Sequence, residues 1–112
     1  MEGNTISVSC TIAECEDLIC RAIVGGSITG ERIDRYEVPG PEDRRCVVLV
    51  FEKHYWRVGN RLTLTAVLDD FSGVTRVHLV GGGGGDGLFR FDWGAADSFA
   101  GAAANALRPY LL

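Results

Sequence analysis

"RCVVLVFEKHYWRVGNRLTLTAVLDD", Arg45 to Asp70, decides how this chain is read. Its first part, Arg45 to Val58, is rich in β-branched and aromatic residues, which suit a pleated, half-buried strand. Its second part, Arg61 to Asp70, alternates, with Leu62, Leu64, Ala66 and Leu68 on one face. Gly59-Asn60 between them is a two-residue hairpin signal. A turn of that length sets Val58 opposite Arg61, Tyr55 opposite Leu64 and Phe51 opposite Leu68. One face then carries Leu49, Phe51, Tyr55, Leu62, Leu64 and Leu68 as core. The same parity puts Lys53 and Arg57 on it, either snorkelling at its rim or standing at a pocket mouth for an acidic ligand.

The opposite face carries Glu52, His54, Trp56, Thr63, Thr65 and Val67. A turn over Asp70 to Gly73 leads into "VTRVHLV", Val74 to Val80, a further strand in which His78 opposes Thr65. Both histidines then flank Thr65 in one cross-strand row. Two strand spacings separate them by roughly 10 Å, too far for one zinc ion with ~2.1 Å bonds. No metal is expected there. Exposed Trp56 and Val80 suit a homodimer interface, where aromatic anchors are favoured.

The flanks follow the same logic. Asn4 to Cys10 alternates as a strand, with Ile6, Val8 and Cys10 on one face. Thr11 with Glu14 is a capping box. Ile12, Cys15, Leu18, Ile19, Ala22 and Ile23 then form one apolar stripe, so a helix is expected over Ile12 to Val24. Ser27 to Val38 is β-like and heavily charged, as edge strands are. Leu88 to Trp93 alternates as one more strand. Asp97 or Ser98 can cap a last helix with Phe99, Ala102, Ala103, Ala106 and Tyr110 inward. Pro109 ends it, leaving "PYLL" as a docked tail. Strand, helix, a run of strands and a helix imply an α+β two-layer sandwich: an antiparallel sheet of about five to six strands with two helices on one face.

Composition bounds the function. The chain has 112 residues, a net charge of −4 and 46% hydrophobic residues, which suits one domain able to bury its own core. The acidic balance argues against nucleic acid and anionic membranes as partners, since both require a basic surface. The longest purely apolar run, Cys46 to Phe51, is far short of a membrane span, and "MEGNTIS" has no signal-peptide features. A cytoplasmic location is the expectation. Of the four cysteines, Cys15 and Cys20 point apart on a helix and cannot share a disulfide or a metal. Cys10, Cys15, Cys20 and Cys46 read as reduced structural thiols.

"GGGGGDG", Gly81 to Gly87, formally contains a phosphate-binding G-x-G-x-x-G pattern. That pattern needs a helix N-terminus directly after it, and a strand follows instead. A permissive connection between strands is the expected role. No G-x-S-x-G elbow occurs, and Asp69-Asp70 point to opposite faces, so no paired-carboxylate chemistry is expected.

"GGGGGDGLFRFDWGAADSF" resembles a family of small uncharacterised bacterial proteins with a glycine run, an FDWG-like strand end and a C-terminal helix. The likeness covers Gly81 to Leu107 and implies no activity and no functional residue. The element order is similar to the TATA-box-binding-protein-like and helix-grip folds. Helix-grip relatives often hold apolar ligands between sheet and final helix. Here inward Ala102, Ala103 and Ala106 either let the helix sit close or leave room for a small apolar ligand. The expected function is a non-catalytic binding or self-association module without a cofactor. The alternative is a small hydrolase using His54 or His78 as base.

Overall fold

The computed structural model describes residues 5–25, 30–55, 60–83 and 99–112. Five strands form an antiparallel sheet: β1 (Thr5–Val8), β2 (Glu31–Glu37), β3 (Cys46–Tyr55), β4 (Asn60–Asp69) and β5 (Thr75–Gly83). Their order is β1-β5-β4-β3-β2. Helix α1 (Ile12–Cys20) follows β1, and α2 (Phe99–Leu107) precedes the C-terminal tail. Both helices pack on the same side of the sheet and touch each other. This is the expected α+β architecture. The expected strand over Leu88 to Trp93 lies outside the described residues.

The core lies between helices and sheet. Val47, Leu49 and Phe51 of β3, Leu64, Ala66 and Leu68 of β4, and Val77 and Leu79 of β5 are all fully buried. Ile12, Cys15, Ile19 and Ile23 cover them from α1, so the stripe read from the sequence is the buried one. Thr11 caps α1 through both arms of the capping box, with Glu14 N–H donating to Thr11 Oγ1 at 3.1 Å and Thr11 N–H to Glu14 Oε1 at 2.9 Å. The regular α-helix stops earlier than Val24. From Arg21 to Gly25 it widens into a π-turn that keeps Ile23 in the core.

The central hairpin departs from its expected register. β3 ends at Tyr55 and β4 begins at Asn60, so Asn60 pairs with Tyr55 and does not sit in a two-residue turn. Phe51 pairs with Leu64, and Leu68 with Val47. The slip changes the pairing sum by an even number, so each described residue keeps its face. The hydrophobic alternation fixes parity, whereas only the connection fixes how far the strands slide.

Two further expectations change. β5 runs on into the glycine stretch: Gly81, Gly82 and Gly83 pair with Leu64, Thr63 and Leu62. The ladder continues because β4 still offers partners there, and glycine lacks a side chain to oppose pairing. The glycine run therefore begins as strand, and its first three residues are not a loop. Among the described side-chain positions of α2, Gly101, Ala103, Ala104 and Leu107 are buried and Ala102 and Ala106 are half-buried, while Tyr110 beyond it is exposed. The helix contacts α1 as well as β4 and β5, which turns its inner stripe round by about one residue.

The ends are tied down. The tail pairs with β1, with Ser9 N–H donating to the Tyr110 carbonyl at 2.8 Å and Leu112 N–H to that of Ser7 at 3.1 Å. At the other edge, β2 is exposed throughout and charged. A bulge between Arg32 and Asp34 breaks its register. Bulge and charges both discourage pairing with another strand. Arg32 and Arg35 of β2 clamp Glu16 of α1, with Arg32 Nη1 at 3.2 Å and Arg35 Nη2 at 3.1 Å, which fastens the helix to the edge strand.

Candidate association surface

The helices leave one sheet face uncovered, and the pairing register arranges it in four rows. Ser7, Arg76, Asp69 and Cys46 form one end row. Thr5, His78, Val67, Val48 and Tyr36 form the next, then Val80, Thr65, Val50 and Asp34. Gly82, Thr63, Glu52 and Glu31 form the fourth, and the His54–Arg61 pair follows it at the same parity. The middle rows are therefore mainly apolar or hydroxyl-bearing, with His78 near the β1 edge and Asp34 at the β2 edge, and the outer rows carry most of the charge. Val48, Val50, Val67 and Val80 are only half-buried, shielded by strand neighbours and not by a helix. Tyr36 is 53% exposed, which makes it the most open aromatic on this face among the described residues. An apolar centre inside a polar rim is the anatomy of a protein interface.

The six residues singled out from sequence are only partly brought together. Thr65 lies at the centre of the face, between Val50 and Val80. His78 lies one row away, opposite Val67 and not opposite Thr65. His54 pairs with Arg61, about 20 Å along the strand direction from the His78 row at ~3.4 Å per residue. The shared histidine row is thus overturned, because each hairpin slides relative to the expected turn. Lys53 pairs with Leu62 on the helix side and is half-buried. Trp56 and Arg57 lie outside the described residues.

His78 Nδ1 and Thr5 Oγ1 are 2.7 Å apart, a hydrogen bond across β1 and β5 that sequence reading missed. The signal was weak, since it required knowing that β1 joins the sheet beside β5. At the end row, Arg76 donates to Asp69 Oδ1 from Nε at 3.2 Å and Nη2 at 3.0 Å. Cys46 beside them has its thiol pushed up by burial and then by the Asp69 charge, which keeps it neutral.

Described residues line three surface clefts away from this face. One of about 320 Å³ is lined by Ser9, Cys10, Glu14, Asp17, Leu18, Arg21 and Tyr110. One of about 370 Å³ lies on the other side of Cys10, between Val8, Asp70, Val74 and Leu112. The third, about 360 Å³, is in the β2–β3 loop around Pro39 and Pro41. None is lined by α2 or by His78. Next to the third cleft, Arg45 donates to Glu37 at 2.8 and 3.1 Å, and this pairing holds the Glu37 carboxyl below its usual range.

One family model, described as a family of unknown function, DUF6054, matches residues 1–111 of the chain. The chain belongs to DUF6054. No curated protein and no solved structure matches it. The family description of DUF6054 names no activity, so any role for this member must come from its geometry. Among its described residues, no helix is long and apolar enough to cross a membrane, and no group of three or more His, Cys, Asp or Glu is placed to hold a metal ion.

Proposed function

We propose that this DUF6054 chain is a non-catalytic association module whose open sheet face binds a second copy of itself. The observation that carries this reading is the uncovered valine centre, Val48, Val50, Val67 and Val80, ringed by charged end rows. Four strand spacings of ~4.8 Å and a length of about 30 Å give a face of roughly 600 Å² in projection. A stable dimer buries about 800 Å² per partner, which such a face and its side chains approach. β-Branched side chains already held in place by strand neighbours lose little entropy on contact.

The test is light scattering after size exclusion, on the parent chain and on Val67→Asp. The parent is expected to run as a dimer and Val67→Asp as a monomer with unchanged circular dichroism. A carboxylate at half-buried position 67 still reaches water in the monomer, but it must be fully desolvated in the dimer. A monomeric parent at about 100 μM, a concentration at which even an association of ~5.5 kcal/mol would show, overturns the reading.

The Thr5–His78 hydrogen bond favours a second reading, in which His78 activates the Thr5 hydroxyl for acyl transfer. The pair sits on an open face, away from the three clefts. Hydrolysis of a simple activated ester, abolished by both His78→Ala and Thr5→Val, would support it. Turnover equal in the parent and both variants would dismiss it.

A further inference from the structure

Cys10 and Cys15 are placed together by the start of α1. With Thr11 as the N-cap, Cys10 is the residue before the cap and Cys15 is the fourth of the helix. In most helices these two positions hold apolar side chains that pack on each other as a hydrophobic staple. Here both positions are cysteines, and both belong to the same buried core cluster. Cys15 is fully buried and Cys10 is 6% exposed. Cys10 lines two clefts, with Tyr110 at the first and Leu112 at the second, whereas Cys15 lines neither.

We propose that Cys10 and Cys15 are a dithiol–disulfide couple that reacts with small-molecule disulfides. The two thiols have different access, which sets their order. Cys10 faces the clefts and attacks first. Its thiolate sulfur bonds to one sulfur of the small disulfide, the S–S bond breaks, and one small thiol leaves with the proton. Cys15 then loses its proton and attacks the Cys10 sulfur, releasing the second small thiol. The protein loses two electrons and two protons, and the small disulfide becomes two thiols. Cys15 suits the second position because burial and the neighbouring Cys10 keep its thiol neutral until a mixed disulfide stands beside it. The closed bond would convert a packing staple into a covalent one across the first turn of α1. This inference is independent of the open sheet face, which lies on the other side of the sheet.

The native full-length chain is incubated with oxidised glutathione, its remaining thiols are alkylated, and the product is mapped by peptide mass spectrometry. The expected result is a Cys10–Cys15 linked peptide that dithiothreitol removes. Cys15→Ser is expected to stop at a glutathione adduct on Cys10. Half-buried Cys20 and Cys46 can take up glutathione themselves, so the position of the linkage is the readout. Alkylated Cys10 and Cys15 after oxidation, or linkage of either to Cys20 or Cys46, would overturn the proposal. The parent map stands alone if Cys15→Ser does not fold.

Discussion

Phe51→Ala is expected to lower unfolding stability by about 3–5 kcal/mol, while Val50→Ala, its immediate neighbour, costs under about 1 kcal/mol. The two residues are adjacent on β3 and point to opposite faces. Phe51 is the largest fully buried side chain among the described residues, opposite Leu64 of β4 and Arg32 of β2 and on the side of the helices. Removing its ring deletes the transfer energy of the lost atoms and leaves a cavity that the sheet cannot close, since strand spacing is held by the ladders. Val50 faces the uncovered side and is only half-buried, so trimming it empties no closed space. Urea melts at one dilute protein concentration measure both. Equal losses at the two positions would mean that the helices do not define a single buried face.

Ala103→Leu is expected to destabilise by about 1–3 kcal/mol. Ala103 and Ala104 are both fully buried where α2 meets α1, β4 and β5. Two small residues there let the helix backbone come close, and three added carbons have no space without moving the helix or leaving a preferred rotamer. The substitution also separates two meanings of an alanine-rich final helix. If the alanines bordered a ligand cavity, as in helix-grip proteins, leucine would fill that space and stability would rise or stay level. Thermal melts of the purified variant, with the parent as reference, give the sign.

How much of this was legible beforehand differs by feature. The capping box at Thr11 and Glu14 was readable because it is local: two side chains and two amides three residues apart settle it. It also contained the Cys10–Cys15 neighbourhood, since the cap defines which residues precede and follow it. The candidate surface was legible as a face but not as a set of neighbours. Val67 and His78 were on the open side in the sequence reading, yet their rows were not the observed ones. The glycine run was read as a connection between strands, but Gly81 to Gly83 extend a strand, because a ladder ends where its partner ends and glycine carries no mark of that.

The sequence by itself determined faces. Alternation along β3, β4 and β5 and the stripe of α1 say which side chains are buried, since solvent sorts apolar from polar atoms residue by residue and the strand period of two leaves no other assignment. Only the tertiary structure decided rows and neighbours: that β1 lies beside β5, that Thr5 meets His78, that the tail closes on Ser7, and that His54 and His78 stand apart. An even slip between strands costs the burial pattern nothing. The choice among such slips rests on loops, helix packing and chain ends acting together, and no short stretch of sequence contains them.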